Sequence, residues 1–124
     1  IAAGAGAVLV SHNIISSMDP DWPASLSKEV HEILRRDLDF RGVIMTDDLY
    51  MDAIRKYTGK QEAAVKAVLA GNDMLCCTDY RVQIPAVIAA VEEGIIPESL
   101  IDQAVLRILM WKYSLGLVTP ESIS

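Results

Sequence analysis

The stretch Gly42-Val43-Ile44-Met45-Thr46-Asp47-Asp48-Leu49 decides how this chain folds. Three apolar residues, two of them β-branched, follow a glycine and run directly into a hydroxyl and two carboxylates. That is the profile of a buried parallel strand emerging at its polar end, and α/β proteins bind their ligands at that end. A strand over residues 43–45 places Asp47 and Asp48 just past its carboxyl end. Being consecutive, they point in different directions, so one can face a pocket while the other caps a helix or binds a neighbouring loop.

Two further stretches share the design. Residues 5–10 are small and apolar and lead into Ser11, His12 and Asn13, and residues 73–77 lead into Thr78 and Asp79. Residues 14–23 form a loop on proline grounds, with Trp22 either lining a pocket or packing on the next helix. Ser27 caps a helix over residues 28–39 whose apolar face is Val30, Ile33, Leu34 and Leu38, with Arg35 and Arg36 solvated on or beside the outer face. A short helical piece over residues 50–57 ends at Thr58-Gly59, and a helix from Gln61 to Ala70 places Ala64, Val65, Val68 and Leu69 inward before Gly71. Another spans residues 84–93 with Ile84, Val87, Ile88 and Val91 on its apolar face. The last begins at Pro97 and Glu98 and aligns Ile101, Ala104, Val105, Ile108 and Trp111 ahead of Gly116. Strands alternating with helices predict an α/β fold with a parallel sheet, its strands in the spatial order 5–10, 43–45, 73–77, joined by right-handed crossovers.

The totals narrow the function. The chain has 124 residues, 52% of them apolar, with few Gly and Pro, which excludes a disordered chain. Its apolar runs are too short and too often interrupted to span a bilayer. A net charge of -6 argues against nucleic acid as the main partner, because a basic surface carries that binding. Cys76 and Cys77 are adjacent and face opposite ways on a strand, so they read as two buried thiols, compatible with a reducing compartment, and as neither a disulfide nor a metal site. The start, Ile-Ala-Ala-Gly-Ala-Gly-Ala-Val, has no basic region or cleavage signal and reads as a domain cut open.

Ser11, His12, Asp47 and Asp79 converge at the exits of neighbouring strands, which defines a candidate site. His12 reads equally as a strand-end hydrogen-bonding group and as a functional one. Gly4 and Gly6 precede the first strand instead of following it, so nucleotide binding has little support.

Taken together, Val-Ser-His-Asn, Pro-Ala-Ser-Leu-Ser, Leu-Arg-Arg-Asp-Leu-Asp-Phe-Arg-Gly-Val-Ile-Met-Thr-Asp-Asp-Leu-Tyr-Met, Ala-Gly-Asn-Asp-Met-Leu and Gly-Ile-Ile-Pro-Glu-Ser-Leu-Ile-Asp-Gln-Ala-Val-Leu-Arg-Ile-Leu resemble glycoside hydrolase family 3. The similarity is greatest to its bacterial β-N-acetylhexosaminidase branch, and it runs in order over nearly the whole chain. The resemblance implies a (β/α)8 barrel, a carbohydrate substrate, no cofactor and no metal, and a retaining mechanism in which the aspartate after strand seven attacks the anomeric carbon. That aspartate falls on Asp47. Residues 5–10 then correspond to strand six and residues 73–77 to strand eight, while His12, Asp48 and Met51 fall at substrate-binding positions. The acid/base partner in that branch resembles a His-Asp pair on a loop preceded by a Lys-His-Phe-Pro-Gly-type segment, which nothing in these residues matches.

A complete barrel takes about 250 residues, so the expectation is the C-terminal half of one, strands six to eight, carrying the nucleophile without its partner. Such a half uncovers strand edges and apolar faces and should associate with the remaining half of the barrel or, as a fragment, form a homo-oligomer. A receiver-like domain would instead need its Asp pair after the first strand and a Lys after a late strand. Here the pair follows the middle strand, and no Lys follows residues 73–77. A non-catalytic assembly module stays open at this level.

Overall fold

The computed structural model describes residues 1–58 and 62–122. Three strands, β1 (Ala7–Val10), β2 (Val43–Asp48) and β3 (Met74–Cys76), form one parallel sheet in the order β1-β2-β3, as the sequence predicts. Ala7 pairs with Val43 and Val10 with Thr46, and Met45 pairs with Met74 before a register shift brings Asp48 opposite Cys76. The glycine that opens the central stretch is required by a close approach. A Cβ on Gly42 would lie 2.4 Å from the Gly6 carbonyl oxygen, the same oxygen that accepts the Val43 amide at 3.1 Å.

One sheet face is covered by helices. Val8, Val10 and Ile44 pack with Ala24, Val30, Leu34 and Phe40. These residues come from a 3-10 turn (Ala24–Leu26), from helix α1 (Lys28–Glu32), and from the π-helical turn (Ile33–Asp37) and loop that follow. Ser27 caps α1, accepting the Val30 amide at 3.2 Å and donating its hydroxyl to Asp19 at 2.6 Å. Helices α2 (Asp52–Thr58), α3 (Ala63–Ala70), α4 (Tyr80–Glu92) and α5 (Glu98–Ser114) complete the chain. Gly59 and Gln61, expected to close one helix and open the next, lie outside the described residues. On the other face Leu9, Met45 and Met74 share one row by register, and Leu9 is 56% exposed. Among the described residues no helix is long and apolar enough to cross a membrane.

Several expectations are corrected. β2 continues through Thr46, Asp47 and Asp48, so the carboxylates belong to the strand. The polar residues remain in the sheet because β3 supplies partners: the Cys76 amide donates to Thr46 Oγ1 at 3.1 Å, and the Leu49 amide donates to the Cys76 carbonyl at 2.9 Å. Ile84 and Ile88 are more than half exposed. The face of α4 that meets α3 is set one residue away, by Gln83, Val87, Ala90 and Val91. Val105 on α5 and Leu38 and Leu69 at helix ends are likewise exposed.

Arg35 also departs from the solvated position predicted for it. One of its terminal nitrogens donates to the Phe40 and Gly42 carbonyls at 3.0 and 2.6 Å, and the other pairs with Asp73. Asp73 sits just before β3 with its side chain 2% exposed. It also accepts from Arg107 of α5 at 2.9 Å and from the Ile44 amide of β2 at 2.9 Å. Arg36 is exposed and pairs with its neighbour Asp37 at 2.7 Å.

Deleting Asp73 leaves the Arg107 guanidinium and the Ile44 amide without their acceptor and Arg35 without its ion-pair partner. Asp73→Ala is therefore expected to lower unfolding stability by about 3 kcal/mol, read from chemical denaturation midpoints. A loss below about 0.5 kcal/mol, the size of an ordinary surface change, would contradict this role.

Candidate active site

The two carboxylates that end β2 are held very differently. Asp47 is half-buried, and its Oδ1 accepts the amide of Asp48 at 2.8 Å. No other group among the described residues bonds to its carboxylate. Asp48 is tied down on both oxygens. Oδ1 accepts the Tyr50 and Thr78 amides at 3.0 and 3.1 Å, and Oδ2 accepts the Thr78 hydroxyl. That hydroxyl bond, followed by the two amides, holds the Asp48 carboxyl below the usual carboxylate range. Of the predicted division, the binding of one acid to a neighbouring loop is what the Asp48 contacts describe.

His12 follows β1 and reaches across to β2. Its Nε2 lies 2.8 Å from the Asp48 carbonyl oxygen and its Nδ1 2.7 Å from the Ser25 hydroxyl. Met51 turns back so that its amide donates to the same Asp48 carbonyl at 3.3 Å, leaving its side chain 45% exposed beside the strand exit. The fold therefore brings His12, Asp47, Asp48 and Met51 to one end of the sheet.

Two other members of the predicted cluster make their hydrogen bonds to groups other than these four residues. Ser11 contributes its carbonyl, which accepts the Ser25 amide at 3.0 Å. Asp79 precedes α4, where its Oδ2 accepts from Gln83 at 2.9 Å while its buried Oδ1 has no partner. Trp22 lies away from the carboxylates, with its ring 5.9 Å from that of Tyr57 and the Lys66 ammonium 5.1 Å from its face. It lines a pocket with Leu26, Lys28, Lys66, Leu69 and Ala70, as one of its two readings has it, and its ring contacts are to α2 and α3 instead of the next helix.

The sequence reading passed over Ser25, although a hydroxyl inside the apolar run Pro23-Ala24-Ser25-Leu26 signals a buried partner, and Ser25 is fully buried. It also mistook Cys76 for a buried residue. Cys76 is exposed at the end of β3. Cys77 is half-buried, and burial, with help from the Asp79 and Asp48 carboxylates, pushes its thiol up to about 11. Among the described residues no group of His, Cys, Asp and Glu could hold a metal ion.

Residues 1–111 match the model of the glycosyl hydrolase family 3 N-terminal domain. A β-hexosaminidase of Nitrosomonas eutropha is 39% identical over 80 residues, covering 64% of this chain and 23% of that protein. A lysosomal β-glucosidase of Dictyostelium discoideum is 35% identical over 121 residues, covering 93% of this chain and 14% of that one. Among solved structures, a glycoside hydrolase family 3 β-N-acetylglucosaminidase from Paenibacillus superposes with a TM-score of 0.86 at 36% identity, covering 98% of this chain and 27% of that one. The chain thus spans about a quarter or less of the length of these relatives.

The contacts of Asp48 carry a pH signature. Because its folded-state pKa is lowered, the stability it contributes is fully present above the unfolded value, about 4, and is lost as pH falls through the folded value. Thr78→Val removes the largest cause of the shift. It is expected to flatten the stability profile below pH about 4, measured as denaturation midpoint against pH. An unchanged acid slope would contradict the assignment.

Proposed function

The chain belongs to glycosyl hydrolase family 3, and from that membership we propose that the exit of β2 carries the nucleophile of a retaining glycosidase acting on β-linked N-acetylhexosaminides, with β1, β2 and β3 as strands six, seven and eight of a (β/α)8 barrel. The observation that carries this reading is the contrast between the two acids. A retaining glycosidase needs one ionised carboxylate free to reach the anomeric carbon. Asp47 has that freedom, at the strand end where barrels place catalytic groups. Asp48, committed on both oxygens to Tyr50 and Thr78, does not.

In the proposed reaction Asp47 attacks the anomeric carbon, forming a glycosyl ester as the bond to the leaving oxygen breaks. A proton from a general acid goes to that oxygen, and water then hydrolyses the ester with overall retention. Asp48 supports the segment, and His12 and Met51 stand beside the sugar-binding end. The general acid and the N-acetyl contacts are assigned to the part of the barrel that precedes strand six, and the step requires no cofactor. The row of Leu9, Met45 and Met74, with Leu9 exposed and the two methionines partly buried, fits a barrel interior completed by those further strands.

In the full-length protein, Asp47→Ala is expected to lower kcat on a 4-nitrophenyl N-acetyl-β-glucosaminide by roughly 10⁴-fold or more, the scale on which single members of a covalent-catalysis unit fail. Asp48→Ala should retain measurably more turnover. Comparable activity in wild type and Asp47→Ala would refute the assignment.

A further inference from the structure

Asp48 is gripped at three points. The Thr78 hydroxyl and amide hold its carboxylate, the His12 ring holds its carbonyl, and its own amide is spent on Asp47 Oδ1 at 2.8 Å. Asp48 therefore acts as a bracket. Whatever fixes its two ends also fixes the donor against which the Asp47 carboxylate rests.

The grip on the carbonyl is directional. A backbone carbonyl only accepts, so His12 Nε2 carries the proton. In the neutral ring Nδ1 is then left to accept from the Ser25 hydroxyl at 2.7 Å. Ser25 is itself immobilised. Its amide donates to Ser11, and its carbonyl accepts from Asn72 Nδ2 at 2.7 Å. Asn72 is 4% exposed and donates a second bond to the Ala67 carbonyl at 2.8 Å, and its Oδ1 lies 2.9 Å from the ring of His31. The imidazole of His12 is thus aimed from below by a buried polar chain reaching into α1 and α3. Both of its nitrogens are spent inside the protein.

We propose that His12 is a positioning residue, holding Asp47 at its angle of attack through the Asp48 carbonyl, and that it makes no bond to the sugar. Its orientation is set by Ser25. The proposal rests on Asp47 being the nucleophile, as read above. It replaces the substrate-lining role that the family resemblance suggests for His12 with an indirect one, and it assigns Ser25 a part in the same device. A displacement of about 1 Å at the reacting group costs on the order of 10²-fold in rate, which is the scale on which such a brace acts.

Two substitutions separate the roles of the ring nitrogens. Gln places an amide donor where Nε2 was, and Asn places one where Nδ1 was. In the full-length protein His12→Asn is expected to lower kcat about 10²-fold with KM changed less than about twofold, whereas His12→Gln, which keeps the donor to Asp48, recovers at least about tenfold of that loss. Should His12→Asn fail to fold, Ser25→Ala, which removes only the partner of Nδ1, is expected to show the same fall in kcat at constant KM.

A rise in KM at constant kcat would show that His12 contacts the sugar and would overturn the proposal, as would equal defects in the Gln and Asn variants. The ring ¹⁵N spectrum of the full-length protein gives a readout independent of turnover. The Nε2-protonated tautomer supports the brace, and an Nδ1-protonated ring contradicts it. If Asp47→Ala retains turnover, the nucleophile assignment fails by itself. The His12 substitutions then report on a brace that serves something else.

Discussion

The arrangement depends first on one buried carboxylate. Asp73, placed where the chain enters β3, gathers an amide from β2, a guanidinium from the turn after α1 and another from α5. Three donors, from the turn after α1, from β2 and from α5, therefore meet on two oxygens. A charge so deeply buried is tolerable only when its partners are all present. Here they are, and the two arginines keep part of their own surface in water. Burial lowers the pKa of Arg35, and the attraction of Asp73 works in the opposite direction. What the clasp fixes is the relation of β2 to β3 at their amino ends.

With the foot of the sheet locked, the carboxyl ends can carry polar groups without loosening the strands. Thr46 and the Leu49 amide still find partners on Cys76, so β2 keeps its direction through two acidic residues. The clasp thus concentrates stability at the amino ends of the strands, the end at which barrel folds place it. The polar chain through Asn72 and Ser25 links the two ends. Asn72 is the residue just before Asp73, and Ser25 is the partner of His12.

Much of this was legible in the sequence, and the failures share a cause. The stretch from Gly42 to Leu49 gave the central strand, its neighbours and their order, because a buried parallel strand has a composition that little else imitates. The split between Asp47 and Asp48 followed from the alternation of side chains along a strand. Arg35 was misplaced because helical periodicity locates a residue on its own helix and is blind to an acid 38 residues away. The exposed Ile84 and Ile88 reflect the same blindness: α4 is apolar on more than one face, and only the packing of α3 selects which is buried. Cys76 looked buried because its run is apolar, yet it lies at the end of β3 and is exposed. His12 was located but its partner was not, since Ser25 lies 13 residues on, across a loop.

Everything proposed for this site requires Asp47 to be the nucleophile that bonds to the anomeric carbon. The most direct measurement is to incubate the full-length protein with a slow, fluorinated N-acetylhexosaminide donor and map the labelled peptide by mass spectrometry. A glycosyl ester on Asp47, within the peptide that contains Thr46 and Asp48, is the result this structure leads us to expect. A label on any other residue, Asp48 and Asp79 included, would contradict it.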